Sequence, residues 1–247
     1  MILRRLAQNL REQNWTAIAI EFVLLVLGVF LGIQVANWNE DRQQAARQAN
    51  YLERLRIDFV GIRDRIQQHD NAYRDMVEGG ELILSLLRAD ADALKDIPVE
   101  NSQMARAYDA LLSNRIPPPL PATYIEMRSE GQLSHIANPE LRDRLAEYDR
   151  VLGLLLEVSR LTGDNLNLQA PVLQRYFTSR TVIDVQAMSG IREELLAFDV
   201  AGMRGDRDFA VAVKLLHRNA SNSRQMRRLQ LEQVDKILAL IEQEQRR

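Results

Sequence analysis

Two hydrophobic patterns divide this chain. Between Ala17 and Ala36 apolar residues follow one another with no polar face, and Phe22, Val23, Leu24, Leu25, Val26, Leu27, Val29, Phe30, Leu31 and Ile33 point in every direction around a helix. A soluble domain could hide such a helix only as its central element. About 20 apolar residues at 1.5 Å rise each match the ~30 Å of hydrocarbon in a bilayer. Trp15 and Trp38 stand at the two ends, where amphipathic rings favour the headgroup level. Arg4, Arg5 and Arg11 ahead of the run resemble the n-region of a signal peptide, but the run is too long for an h-region, and Gln34 stands where cleavage after Ala36 needs a small residue. The segment therefore reads as an uncleaved transmembrane anchor.

Beyond it the apolar positions become periodic. Leu52, Leu55, Phe59, Ile62, Ile66, His69, Tyr73 and Met76 alternate steps of three and four, which predicts a helix running on from the anchor to about residue 76, interrupted at Gly79-Gly80. "ELILSLLRADADALK" resumes a helical composition, Asp96 to Ser102 with Pro98 reads as a loop, and "QMARAYDALL" as a short helix. The prolines of "IPPPLP" make residues 115–122 a stiff extended connector. "ATYIEMRSEG" is a short helix stopped by Gly131, and Asn138, Pro139 and Glu140 spell the start of a long helix over about 139–177, with Leu141, Leu145, Tyr148, Leu152, Leu155 and Val158 as its core stripe. Gly163-Asp164 and Pro171 predict a break or kink in it. "TSRTVIDVQAMSG" is the single stretch marked as strand or loop, "DVAGMRGD" reads as a turn, and a terminal helix spans about 206–245. Asn219 to Ser223 form a polar patch in that last helix. The expected organisation is a short basic segment over 1–16, a transmembrane helix over 17–38 and a helical domain over 39–247. The fold class is all-α, with the N-terminal transmembrane helix continuing into an antiparallel bundle of about four long helices. No fixed-period repeat is visible.

Composition narrows the functions. A net charge of −2 with no basic stripe interleaved with aromatics argues against nucleic acid as a partner. The absence of cysteine removes disulfides, thiolate metal sites and a cysteine nucleophile, and leaves the compartment open. His69, His135 and His217 lack the spacing of a local zinc site, and no nucleophile-elbow, Walker or dinucleotide-binding glycine pattern is present. The acids Asp90, Asp92, Glu193 and Glu194 and the basic run Arg224, Arg227 and Arg228 lie in hydrophilic stretches and read as solvated faces. Neither catalytic residues nor a cofactor are expected.

One feature of the anchor is not explained by insertion. Glu21 sits six residues past Trp15, roughly 9 Å deep by helical rise. It shares a helical face with Leu25, Gly28 and Gly32, because steps of seven and four nearly return to the same angle. The plain reading is an acid that snorkels to the near interface or is protonated at that depth. The functional reading is an association face in which the G-x-x-x-G spacing brings two backbones close and Glu21 is hydrogen-bonded across the contact.

"IEFVLLVLGVFLGIQVANWNEDR" resembles the N-terminal signature of an uncharacterised bacterial family of single-pass membrane proteins, a domain of unknown function; Glu21, Gly28, Gln34, Asn37, Trp38, Asn39 and Glu40 carry the likeness. Ile20, Gly32 and Ala36 depart from it. "TYIEMRSEGQLSHIANPELRDRLAEY" is similar to the family's second recurrent segment through Thr123, Glu126, Gly131, Leu133, Ile136, Asn138, Leu141, Arg142 and Tyr148. The resemblance implies a membrane-anchored helical protein and assigns no ligand or activity to any residue.

The residues point to a non-enzymatic protein of the bacterial inner membrane that self-associates or docks an envelope partner. The slight excess of Arg4, Arg5 and Arg11 over Arg42 and Arg47 favours a cytoplasmic N-terminus. The alternative is an extracytoplasmic bundle that senses a ligand and signals through a partner, since about 16 residues ahead of the span are too few for an output domain. Pro117 to Asn138, with Tyr124, Glu126, Gly131 and His135, is the candidate binding cleft, or else it simply closes the bundle.

Overall fold

The structure is a computed structural model that describes residues 15–90, 100–183 and 191–246. The basic residues Arg4, Arg5 and Arg11, the loop around Pro98 and the end of the marked strand stretch lie outside the described residues, as does the side chain of Trp15. The chain forms two units, Met1–Tyr51 and Leu52–Arg247.

Helix α1, Trp15–Arg88, contributes to both. In the first unit every described side chain from Ala19 to Trp38 is exposed, and this is the one helix among the described residues long and apolar enough to cross a membrane.

The second unit is built on the periodic part of α1. Leu52, Leu55, Phe59, Ile62, Ile66, Tyr73 and Met76 are buried at the expected three-and-four spacing. Gly79-Gly80 does not interrupt the helix, which runs on to Arg88 and buries Ile83, Leu84 and Leu86. The glycines mark close approach instead: a Cβ on Gly79 would lie 2.8 Å from Ala107 Cα, and one on Gly80 3.0 Å from the His217 ring. Two glycines weaken a helix by about 1 kcal/mol each, which the packing of its neighbours offsets here.

Helix α2, Asn101–Leu111, buries Met104, Ala107, Tyr108 and Leu111. An extended connector leads to α3, Ala122–Ser129, and Gly131 at φ 71 turns the chain into a 3-10 turn over Gln132–His135. Helix α4, Pro139–Gln174, starts as its sequence predicts, with the Asn138 side chain accepting from the amides of Glu140 and Leu141. It passes through Gly163 and Pro171 without a break. Pro171 lies in its last turn, where the missing amide removes a single bond, and Gly163 admits the Asn114 side chain. It ends short of the expected residue 177, because Phe177 opens a strand.

Strands β1, Phe177–Ile183, and β2, Ile191–Phe198, form an antiparallel hairpin in which Phe177 faces Phe198 and Ile183 faces Ile191, with an irregularity between Thr178 and Ser179. Only the first of these was marked in the sequence. "IREELLAF" lacks clean alternation, and its pairing, including Arg180 with Glu194 at 2.7 Å, is made across the hairpin. "DVAGMRGD" is a short helix, α5, Val200–Gly205, rather than a bare turn. Helix α6, Arg207–Gln245, is capped by Asp206 and runs unbroken through the polar patch at Asn219 to Ser223.

The unit is all-α in class, and its described residues form three long helices rather than about four. Helix α6 is antiparallel to both others: Glu53 meets Gln245 and Asp70 meets Arg224 on α1, while Asn138 meets Glu244 and Tyr148 meets Gln230 on α4. Helices α1 and α4, both antiparallel to α6, therefore run the same way, with the Phe59 and Tyr148 rings in contact at 5.4 Å between them, because α2, the connector and α3 return the chain.

Candidate functional site

The glycine face of the apolar stretch is continuous and open. Glu21, Leu25, Gly28 and Gly32 lie on one side of α1, all exposed, and a Cβ on either glycine would meet nothing within 4 Å. No side chain of the described chain covers this face. Glycine at both positions removes the bulk that would hold another helix away, so the geometry suits a second helix at close range. At the end of the apolar run, Trp38 is exposed and the Arg42 guanidinium lies 5.9 Å from its ring centre.

The Pro117–Asn138 segment is a clasp. The amide of Thr123 donates to Asp58 on α1 at 3.0 Å, which caps α3 although its own cap residue, Pro121, offers no side-chain acceptor. Glu126 takes both terminal guanidinium nitrogens of Arg54 on α1, the first at 3.1 Å. Tyr124 is buried and its hydroxyl donates to Asp149 on α4 at 3.3 Å, with Arg128 paired to the same carboxylate. His135 is exposed and pairs with Gln132 at 2.7 Å. Glu244 from α6 accepts the amides of Ala137 and Asn138 at 2.9 and 3.1 Å. Tyr124, Glu126 and His135 thus take separate partners, and the segment ties the three long helices together at one end.

A buried polar cluster lies further along the bundle, and the sequence reading missed it. Of the basic run, only Arg224 and Arg228 reach the surface, where both contact Asp70 at 3.3 Å; Arg227 is 3% exposed. The carbonyl of Arg115 accepts from Arg227 at 3.2 Å, from the Tyr73 hydroxyl at 3.2 Å and from Ser159 at 3.4 Å. Arg227 also donates to Gln230, which donates to the Tyr148 hydroxyl. Burial weakens the hold of Arg227 on its proton and pushes the Tyr148 hydroxyl up to about 12. His69, whose Nδ1 is buried without a hydrogen-bond partner, is held down at about 4 first by burial and then by the charges of Arg227, Arg115 and Arg65. The heptad spacing placed His69 on the core side; no sequence signal separates buried Arg227 from its neighbours, because the connector carbonyl that receives it is 112 residues away.

Two of the surface hollows border α2. One of about 560 Å³ lies between α1 and α2 and is lined by Asp75, Glu78, Arg106, Asp109 and Arg115 among others. The other, about 670 Å³, is floored by Tyr108 and Phe177, whose rings stack at 4.2 Å. Among the described residues no group of three His, Asp or Glu side chains is placed to hold a metal ion. Comparison with protein-family models, with curated proteins and with solved structures returns no match, so the functional reading rests on the chain's own residues.

Proposed function

We propose that this chain is a non-enzymatic, single-pass protein of a bacterial inner membrane, whose helical domain self-associates or docks a protein partner at the envelope. One observation carries the reading: the apolar stretch of α1 is exposed on all sides, whereas the described residues from Leu52 onward bury a core of their own. A stretch of that length left unburied by its own chain needs lipid or another helix.

The open Glu21, Leu25, Gly28 and Gly32 face supports self-association through the anchor. The excess of Arg4, Arg5 and Arg11 favours a cytoplasmic N-terminus, with residues 39–247 outside the cytoplasm. The hollow between α1 and α2 favours a second reading, in which the bundle senses a polar ligand and passes the signal to a membrane partner.

Protease protection on sealed right-side-out and inverted vesicles, followed by cross-linking of the intact protein, tests the main reading. Cleavage of the helical domain from the outer face alone, with a defined cross-linked oligomer, is the expected result. Release of the chain by a carbonate wash would overturn the anchor, and cleavage from the cytoplasmic face would overturn the orientation.

A further inference from the structure

Arg227 is a buried charge with nothing of opposite sign beside it. Its terminal nitrogens donate to Gln230 and to the Arg115 carbonyl, and its Nε is buried with no hydrogen-bond partner. Among the described residues no carboxylate pairs with it; its polar neighbours are the Tyr73 and Tyr148 hydroxyls. Asp70, the acid that meets the basic run of α6, is shared at the surface by Arg224 and Arg228. Carbonyl and amide oxygens satisfy N–H groups but leave the charge in place, and an unpaired charge is costly to bury. The surroundings add to it, since the His69 ring feels Arg227, Arg115 and Arg65 together.

The same guanidinium lines a cavity of about 10 Å³ between α1, α4 and α6. Tyr73, Ser159 and Ser223, all buried, bring hydroxyls to its wall, and apolar side chains of α4 and α6 close the rest. No acid lines it. Such a volume holds one species of about water's size, which admits a halide and excludes phosphate, sulfate or an organic carboxylate.

We infer that this cavity is a binding site for a single chloride ion, held by the Nε of Arg227 and the hydroxyls of Ser159 and Ser223. Three observations choose the ion. The charge selects an anion, because a water molecule in the same place would satisfy Nε and leave the guanidinium unneutralised. The volume selects a monatomic one. The donors fit as well: the Arg115 carbonyl has two lone pairs but three donors, Arg227, Tyr73 and Ser159, and Ser159 at 3.4 Å is the farthest and the one released to turn to the ion. The ion then ties α4 to α6 beside the connector. The site lies within the helical domain and stands whether or not the glycine face of α1 self-associates.

Equilibrium dialysis of the full-length chain in neutral detergent micelles against radiolabelled chloride, with gluconate holding the ionic strength, tests the site. About one chloride per chain should bind saturably within physiological salt, about 0.15 M. Bromide should displace it and sulfate should not. Ser223→Ala removes one donor from the wall and should weaken binding about tenfold, the effect of one hydrogen bond to a charged group. Ser221→Ala, whose hydroxyl turns to the His217 carbonyl instead, should bind as the native chain does. Arg227→Met should abolish binding with helix content kept; should that variant not fold, the two serine variants decide. Absence of saturable binding to the folded native chain would show that the cavity holds water alone and would overturn the site. Binding that the two serine variants change alike, or that sulfate displaces as well as bromide does, would put the ion elsewhere and overturn it too.

Discussion

Helix α1 contains two regions of one continuous helix that meet opposite demands. From Ala19 to Trp38 nothing is buried, whereas from Leu52 to Met76 every third or fourth side chain is, except the half-buried His69. The difference is one of pattern rather than apolar content. A helix apolar all round cannot be satisfied by one neighbouring helix, since its far side still faces solvent. A heptad stripe is satisfied by the two helices that α4 and α6 supply. The same contrast recurs in the glycines. Gly28 and Gly32 have open space around them, while Gly79 and Gly80 are pressed against α2 and α6.

The largest expected effect separates the two regions by truncation. Phe59 is fully buried against Tyr148, so Phe59→Ala should destabilise the helical domain by about 3–5 kcal/mol. Phe30→Ala, at an exposed site, should leave the denaturation midpoint of that domain where it was. Equal shifts from the two variants in chemical denaturation of the full chain would erase the distinction.

Acid should find the periodic region next. The folded His69 imidazole takes its proton only near pH 4, because it is buried beside Arg227, Arg115 and Arg65, whereas the unfolded chain takes it near 6.5. The unfolded state therefore binds more protons between these values. Stability from this group is whole above about pH 6.5 and falls as pH drops towards 4, by at most about 1.4 kcal/mol per unit and by less for a half-buried ring that water reaches. His69→Leu should flatten this part of the stability–pH curve; an unchanged curve would show that another group sets it.

Gly79→Ala against Gly28→Ala sharpens the comparison further. Alanine is the better helix former by about 1 kcal/mol. A Cβ at residue 79 meets the Ala107 backbone at 2.8 Å, and overpacking of this kind costs about 1–3 kcal/mol, so Gly79→Ala should show a net loss. At residue 28 no such contact exists and helix stability should not fall. A gain at residue 79 would show that α2 moves aside freely.

The smallest effect concerns a local signal. Asn138→Ala removes a cap that holds two amides, at 3.0 and 3.4 Å, and should cost about 1 kcal/mol in thermal or chemical unfolding. Asn138→Ser should restore most of it, and a failure to do so would mean that Glu244, which binds the Asn138 amide, sets the start of α4.

The clasp shows how a site can be legible while its role is not. Prolines, Gly131 and the Asn138 cap mark the segment in the sequence, because each acts on its own backbone. That Tyr124 turns to Asp149 and Glu126 to Arg54 depends on helices 25 and 72 residues away, which no local pattern records.

The sequence by itself determined the membrane-length apolar run, the register of the buried stripe on α1, the N-terminal cap of α4 and the stiff connector. Each follows from hydrophobic spacing or from the backbone limits of single residues. Tertiary structure alone decided that α1 continues through Gly79-Gly80, that "IREELLAF" pairs as a strand, that α1 and α4 run parallel, and that Arg227 is drawn inside while Arg224 and Arg228 stay out. These outcomes depend on which distant surface arrives to accept a hydrogen bond or fill a gap, and one glycine, strand or arginine looks like another until it does.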